Sequence, residues 1–287
     1  MAGRVLRALA LGAAAVALAI GCGDSGGDET VPTAAGTAAD PDLDAFPRPE
    51  PGQSPAALAQ AAGARPAGLD LLTTVHPAGH SRLAFTLERD GRRVTGPTAV
   101  YAVPAADRDE VAGPLPAPGT ELRTATGHEA TVYEVAAVDL HHRGRYDLIA
   151  LTRQGGDLLA ARATIDAVPP RRAAGPAVGE PVPLPAPLAA QARGRPAALV
   201  LGGDCRGRDC FDLAAALRQA TLTLGDRVAI LHPQRAVERR LRRRLRLSPA
   251  PWLLTVDGDG LLAARLEGAV APATAERALQ AAIVRGG

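Results

Sequence analysis

Residues 196–217, PAALVLGGDCRGRDCFDLAAAL, contain an apolar run, a glycine pair, two cysteines and the start of a helical pattern. The run Ala197–Leu201 is continuous and is bounded by proline and glycine, which is typical of a strand buried on both faces of an α/β sheet. Beyond the cysteines, apolar residues recur at the spacing of a helix: Phe211, Leu213, Ala214 and Leu217. Cys205 and Cys210 are therefore predicted to lie at or near a helix N-terminus, where thiolates are stabilised.

The C-terminal third of the chain resembles a known family. The strand, cysteine pair and helix, together with Pro251 and the segment WLLTVDGDG that follows it, are similar to thioredoxin-like domains over residues 189–285. The resemblance implies an α/β domain in which Pro251 is the family's cis-proline and faces the cysteine pair. The motif departs from the family, since Cys205 and Cys210 have the spacing C-x4-C in place of C-x-x-C.

Two interpretations of the cysteine pair follow from the residues around it. As a reversible dithiol, Cys205 would attack a disulfide and Cys210 would resolve the mixed disulfide. The two arginines between the cysteines and the helix N-terminus favour the Cys205 thiolate, whereas the neighbouring aspartates oppose it. As a structural disulfide, the pair would close a ring of six residues. Such a ring stabilises a fold by about 2 kcal/mol.

Metal binding is a third interpretation of the same residues. Copper chaperones of the Sco type share the thioredoxin-like fold and bind copper through two cysteines and a histidine. The chain resembles them in having His232 at the end of the next predicted strand, which implies Cys205, Cys210 and His232 as ligands. Their cysteines have the spacing C-x3-C, whereas this chain has C-x4-C. Copper binding is kept as an alternative to redox chemistry.

The N-terminus has the pattern of an export signal. Two arginines precede the apolar run from Ala8 to Ile20, which is too short to span a bilayer and is typical of a signal-peptide core. The run ends in Gly-Cys22 and resembles the lipobox of bacterial lipoproteins, which implies that Cys22 is lipidated. The family favours Leu where this chain has Ala19. With an ordinary cleaved signal or an N-terminal anchor instead, the remainder would still be exported to a compartment that permits disulfides.

Residues 1–21 are the predicted signal peptide. After them, the composition of the chain changes from one segment to the next. Residues 22–67 are rich in Gly, Ala, Pro and acidic residues and predict a disordered tether. Residues 68–168 combine alternating apolar residues with frequent turn signals, which predicts an antiparallel β-sandwich. Residues 169–188 are rich in Pro and predict a second linker.

Individual strands of the predicted sandwich can be placed from the alternation. They are expected near residues 83–87, 98–103, 131–138, 145–152 and 158–165. Asp90-Gly91 predicts a hairpin turn, and the segment around Tyr146 resembles a strand of immunoglobulin-like domains in which a tyrosine hydroxyl pins a corner. The predicted fold class is therefore two-domain: an all-β immunoglobulin-like sandwich over residues 68–168, followed by an α/β thioredoxin-like domain over residues 189–285.

The charge of the chain is small overall but concentrated at one place. The formal net charge is +2, which implies no general attraction to nucleic acid. Seven arginines lie between Arg235 and Arg246, on a predicted helix whose Val237, Leu241 and Leu245 form a packing stripe. This basic face is either solvated or in contact with anionic lipid headgroups. Aromatic residues make up only 2% of the chain, which argues against stacking on single-stranded nucleic acid.

These observations predict an exported protein that is anchored to the cell membrane by a lipid on Cys22. Its expected function is thiol–disulfide exchange with other exported proteins, with Cys205, Cys210 and Pro251 at the catalytic site and no cofactor. The alternative from another functional class is a non-catalytic binding or scaffold protein in which the two cysteines form a structural disulfide.

Overall fold

The five strands expected between residues 83 and 165 are present, and they belong to one large sheet. The computed structural model describes residues 40–124, 126–170, 175–202 and 211–286, so Cys22, Cys205 and Cys210 lie outside the described residues. Within these residues the large sheet has ten strands: β1 (Arg65–Leu71), β2 (His76–Pro77), β3 (Gly79–Arg89), β4 (Arg92–Arg93), β5 (Thr98–Pro104), β6 (Ala112–Pro116), β7 (Gly119–Arg123), β8 (Glu129–Leu140), β9 (Gly144–Gln154) and β10 (Asp157–Val168).

Two local features of these strands confirm the sequence analysis. Asp90 and Gly91 both have positive φ angles, 51° and 71°, as a tight hairpin turn between β3 and β4 requires. The Tyr146 hydroxyl accepts a hydrogen bond of 2.9 Å from the His142 amide and donates one of 3.2 Å to the His142 carbonyl. This tyrosine therefore pins the corner that precedes β9.

The large sheet curls so that its two ends come together. Its strand order is β6-β5-β9-β10-β1-β3-β8-β7, and the first and last strands are joined by only Ala117 and Pro118. Most pairs are antiparallel, but β1 runs parallel to β10 and antiparallel to β3, which makes the sheet mixed. The side chains inside the curl form one core, in which Phe85 and Tyr133 stack with ring centroids 5.5 Å apart.

Part of the segment predicted to be a tether packs on the outside of this sheet. A short 3-10 turn (Leu43–Ala45) and α1 (Pro55–Ala61) precede β1. Phe46 and Leu58 are buried against Tyr101 and Ile149, on the outer face of β5 and β9. The Tyr101 hydroxyl donates a hydrogen bond of 2.7 Å to the Pro47 carbonyl. Residues 40–64 thus cover an apolar face of the sheet that alternation alone leaves open.

A smaller sheet follows in the C-terminal third. Within the described residues it has four strands in the order β12-β11-β13-β14: β11 (Ala197–Leu201), β12 (Ala229–Leu231), β13 (Trp252–Val256) and β14 (Leu262–Glu267). β11 and β12 are parallel, whereas β13 runs antiparallel to both of its neighbours. The helices are α2 (Ala186–Ala192), α3 (Leu213–Leu224), α4 (Arg235–Leu245) and α5 (Pro272–Arg285).

Helices cover the small sheet on both faces. Leu199 and Leu254 face one core with Leu188 of α2 and Leu241 of α4, while residues at alternating positions face a second core with α3 and α5. The part of the Pro-rich linker that is described, residues 175–185, pairs with the turn before β14 through the Val182 amide and the Gly260 carbonyl, 2.9 Å apart. All five residues of β11 are buried, as the continuous apolar run predicts.

The predicted fold class, an immunoglobulin-like sandwich domain followed by a thioredoxin-like domain, is wrong. The first part is not two sheets packed face to face but one curled mixed sheet of ten described strands. The described residues from 40 onward also belong to one compact unit, in which the small-sheet region is attached to the large sheet through polar contacts of Glu267 with Thr74 and of Thr274 with Glu134. Alternation marks which residues form strands, but it does not determine which strands pair. The boundaries drawn at residues 168 and 189 stay predictions about folding units.

Candidate functional site

We call residues 202–211, which include Cys205 and Cys210, the cysteine segment. The structure describes the residues on both sides of it. β11 ends at Leu201, and on the other side the Asp212 carboxylate caps α3 by accepting a hydrogen bond of 3.0 Å from the Ala215 amide. Cys205 and Cys210 themselves lie outside the described residues. The segment that carries them joins the end of a fully buried strand to the capped N-terminus of a twelve-residue helix.

Pro251 lies beside the start of the cysteine segment. The antiparallel pairing of β11 with β13 sets Leu201 opposite Trp252, which places Pro251 level with Gly202. The proline is half-buried, and its carbonyl accepts a hydrogen bond of 2.8 Å from the Gly268 amide. Gly202 and Pro251, which are far apart in sequence, therefore lie at the same edge of the small sheet.

The expectation that Pro251 follows a cis peptide bond is wrong. The cis bond within the described residues is at Gly113–Pro114, and the bond between Ala250 and Pro251 is trans. In this conformation the Ala250 carbonyl accepts a hydrogen bond of 2.8 Å from the Arg242 guanidinium. Pro251 thus lies at the sheet edge with a trans peptide bond before it, and the peptide geometry that the resemblance implies is not present.

Arg242 holds this edge of the sheet together. Its guanidinium donates to the carbonyls of Ser248 at 2.7 Å, Ala250 at 2.8 Å and Leu201 at 2.9 Å. Its Nε donates to the Glu238 carboxylate at 2.9 Å, one helical turn away, and both side chains are largely buried. One arginine therefore links α4 to the loop before Pro251 and to the end of β11, where the cysteine segment begins.

The Glu267 carboxylate fixes the other side of Pro251. It accepts hydrogen bonds from the Thr74 amide and the Val75 amide, each at 2.9 Å, and from the hydroxyls of Thr74 and Ser248, each at 2.6 Å. Ser248 Oγ in turn accepts a hydrogen bond of 3.1 Å from Trp252 Nε1. This carboxylate joins the loop after β1 in the large sheet to the residues on both sides of Pro251.

A buried ion pair lies close to this carboxylate. Arg82 of β3 and Glu134 of β8 are 3.0 Å apart, with side chains only 11% and 7% exposed. The Thr274 hydroxyl donates to Glu134 at 2.5 Å, and Arg82 also donates to the carbonyls of Glu267 and Ala269 in the small-sheet region. Burial by itself would raise the pKa of Glu134, but the Arg82 guanidinium outweighs it, so the pKa lies below its usual range.

The C-terminal end of the cysteine segment is attached to the large sheet. Phe211 forms an isolated β-bridge with Thr124 just beyond β7, and the Asp212 amide donates a hydrogen bond of 3.2 Å to the Arg123 carbonyl. The Phe211 ring is buried with Leu122 and other apolar residues of the large sheet and with Ala269, just beyond β14. The segment is therefore bounded by the small sheet at Leu201 and by the edge of the large sheet at Phe211.

His232 lies at the same edge, one strand away. The parallel register of β11 and β12 sets Leu199 beside Leu231, so His232 is level with Val200. The side chain is exposed. Among the residues that the structure describes, no three His, Cys, Asp or Glu side chains are grouped closely enough to hold a metal ion. Two of the three ligands that the copper alternative requires, Cys205 and Cys210, lie outside those residues.

A cleft of about 450 Å³ opens between the loop after β1 and the end of β10. His76, which lines it, is 4% exposed, and its Nδ1 atom has no hydrogen-bond partner in the described part of the chain. Burial lowers the pKa of His76, although the Glu267 carboxylate and a hydrogen bond to the Thr73 backbone act in the opposite direction. The imidazole is therefore uncharged at neutral pH.

Sequence patterns alone do not identify the residues that support this edge. Arg242 has the same sequence context as the other arginines of its helix, and Arg82, Glu134 and Glu267 belong to no motif. The isolated charges within apolar strands, in SRLAF around Arg82 and in VYEVA around Glu134, were the available signal. A charge flanked by strand residues of this kind requires a partner when it is buried.

Comparison with known proteins leaves the chain without an assigned family. No protein-family model and no curated protein matches the sequence. Of the helices in the described residues, none has both the length and the hydropathy to cross a membrane.

Proposed function

We propose that this protein is exported, is anchored to the membrane by a lipid on Cys22, and exchanges thiols and disulfides with other exported proteins through Cys205 and Cys210. The observation that carries the proposal is the placement of the flanking residues. The cysteine segment runs from the end of the buried strand β11 to the capped N-terminus of α3, and Pro251 lies level with its first residues.

The chemistry follows from this placement. The Cys205 thiolate attacks a sulfur of the partner's disulfide, forms a mixed disulfide and releases one partner cysteine as a thiolate. The Cys210 thiolate then attacks Cys205 Sγ, which forms the Cys205–Cys210 disulfide and releases the second partner thiolate. The partner gains two electrons and this protein loses two. The positive end of the α3 dipole favours the thiolates that both steps need.

The experiment that tests this function is capture of the mixed disulfide. In Cys210→Ser the second step is blocked, so partner proteins should accumulate as covalent complexes through Cys205 that a reductant releases. Cys205→Ser, which keeps the other cysteine, is the matched control and should capture far less. If the two variants capture equal amounts, or if neither captures any, the exchange function is refuted.

The anchor has a separate test, because the apolar run and the cysteine that ends it are its support. Cys22→Ser should move the protein from the membrane fraction to the soluble fraction or leave the signal peptide uncleaved. A variant that is processed and sediments with membranes as the parent does would contradict the lipidation of Cys22. This result would not bear on the chemistry of Cys205 and Cys210.

A second candidate is a scaffold in which Cys205 and Cys210 form a permanent disulfide. The observation that favours it is the attachment of Phe211 and Asp212 to the edge of the large sheet, since a short cross-link would then stiffen a segment fixed at both ends. In the chain-entropy model a ring of this size contributes only about 2 kcal/mol. A scaffold would hold this bond through mild reduction, and an exchange protein would not.

A further inference from the structure

The stretch that forms α4 is strongly positive, whereas the rest of the chain has a small negative net charge. The residues from Arg235 to Arg246 include seven of the 32 basic residues and one of the 30 acidic residues, so this stretch has a net charge of +6. The rest of the chain, with 25 basic and 29 acidic residues, has a net charge of −4. The protein is therefore a weakly acidic body with one strongly basic helix.

The packing of α4 turns these arginines outward. Leu241 and Leu245 are 2% and 7% exposed and lie in the core of the small sheet. On the opposite side the exposed arginines are Arg235, Arg239, Arg240, Arg243, Arg244 and, at the helix C-cap, Arg246. At 100° per residue, the five within the helix cover roughly half of its circumference over about 15 Å. We call these six residues the arginine face.

Carboxylates of the described residues do not neutralise the arginine face. None of its six side chains forms an ion pair within the part of the chain that the structure describes. The seventh arginine of the stretch, Arg242, is different, because it points toward the protein and holds the carbonyls of Leu201, Ser248 and Ala250. The charge that a partner can meet is thus separate from the arginine that supports the fold.

Both ends of α4 connect to the sheet edge where the cysteine segment begins. The helix follows β12 after three residues, His232, Pro233 and Gln234, and β12 ends at this edge because it is parallel to β11. The chain returns to the same edge at Trp252, opposite Leu201. The two ends of α4 therefore lie near the edge of the small sheet at which β11 ends.

We propose that the arginine face docks on an anionic lipid surface, namely the membrane that holds the lipidated Cys22. This inference rests on the proposed anchoring. The lipid on Cys22 would keep the folded chain at the membrane surface, where a basic patch meets anionic headgroups at short range. Each arginine near an anionic surface adds to that attraction, and an array fixed on one side of a helix can meet a flat surface together. Docking would hold α4, and with it the sheet edge at its two ends, close to the bilayer.

Vesicle sedimentation tests the docking without the acyl chain. The protein used is the chain from Gly23 to Gly287, which retains every described residue and lacks both the apolar signal and Cys22. It should bind vesicles of phosphatidylcholine and phosphatidylglycerol at 3:1, and it should not bind phosphatidylcholine alone. Raising the salt concentration from 50 to 300 mM should release it, since surface attraction is screened within the Debye length.

Two variants with the same loss of charge locate the binding surface. The docking variant changes Arg239, Arg240, Arg243 and Arg244 to Gln, and the matched control changes the exposed Arg92, Arg143, Arg145 and Arg162 of the large sheet to Gln. The docking variant should bind anionic vesicles at least a hundredfold more weakly, and the control should bind as the parent does. Arg242 is unchanged in both, so the fold should be retained, which circular dichroism checks.

The results that overturn this proposal differ from those that refute the anchor. Equal binding to neutral and anionic vesicles would overturn it, as would equal loss of binding in the two variants. Binding to a soluble polyanion such as heparin without binding to anionic vesicles would also overturn it and would indicate an acidic macromolecule as the partner. The Cys22→Ser fractionation is independent of each of these outcomes, because the chain used here has no lipid.

Discussion

Gly268, just after β14, packs directly against the segment that follows β1. Its φ angle is +78°, and a Cβ atom at this position would overlap the carbonyl oxygen of Leu72, just beyond β1. A glycine is therefore required for two reasons, the left-handed backbone and the contact. Gly260, in the turn before β14, has nearly the same φ angle, +80°, but no atom lies within 4 Å of its Cβ position.

The two glycines give a matched pair of substitutions. Gly260→Ala should lower the free energy of unfolding by about 1–2 kcal/mol, the cost of a left-handed non-glycine residue. Gly268→Ala should lower it by clearly more, because the Leu72 backbone must also move. Urea unfolding of the two variants measures the difference. Equal losses would contradict the close contact between β14 and the segment after β1.

The buried pair of Arg82 and Glu134 allows a second residue-level prediction. Glu134→Gln leaves the Arg82 guanidinium buried beside a neutral amide, so we expect a loss of about 3–5 kcal/mol in the free energy of unfolding. The control is Asp44→Asn in the exposed pair of Asp44 and Arg48, whose atoms are 2.9 Å apart. That change should have little effect, since exposed ion pairs contribute little. Similar losses in both variants would contradict the burial of the first pair.

At the scale of elements, the sequence patterns placed five of the ten described strands of the large sheet, β3, β5, β8, β9 and β10, but did not predict their pairing. β5 and β9 were placed within two residues because period-2 alternation and turn residues such as Gly155-Gly156 are local signals. The parallel pairing of β1 with β10 joins residues about 94 positions apart and leaves no local signal, yet it is what makes the sheet one curled sheet. The same alternation of apolar and polar residues is compatible with an immunoglobulin-like sandwich and with this curled sheet.

The candidate site divides in the same way. The continuous run of β11 and the start of α3 follow from patterns within short segments, whereas the place of Pro251 beside Gly202 depends on the long-range pairing of β11 with β13. The role of Arg242 could not be predicted, because one arginine among seven on a helix looks like the others until the carbonyls of Leu201, Ser248 and Ala250 surround it. The peptide bond before Pro251 is trans, the usual form of an X-Pro bond, so the cis bond expected from the resemblance is absent there.

At the scale of the whole molecule, the two sheets share one buried polar interface. Glu267 ties the loop after β1 to Ser248, and Arg82 ties β3 to the turn after β14. Unfolding the small sheet alone would leave Glu134 and Arg82 without their contacts to Thr274 and Ala269. Because of this interface, the stability of each sheet depends on the other sheet. The stability of the folded protein also depends on pH.

The pH dependence arises from His76 beside this interface. Burial keeps the pKa of His76 in the folded protein below 6.5, the value expected for the unfolded chain. As the pH falls through about 6.5, the unfolded chain takes up a proton before the folded protein does, so the free energy of unfolding decreases. His76→Gln should flatten this decrease between pH 7.5 and 5.5 in urea unfolding. His80→Gln, an exposed control, should keep it, and equal slopes in the two variants would contradict the prediction.

The reduction potential of the Cys205–Cys210 pair tests the proposed exchange function most directly. It can be measured in the chain from Gly23 to Gly287 by equilibration with glutathione buffers and alkylation of the free thiols. An exchange protein of this kind should have a potential near or above about −270 mV, because the α3 N-terminus stabilises the reduced, thiolate form. A potential below about −300 mV, typical of structural disulfides, would contradict the account and would make the pair a permanent cross-link.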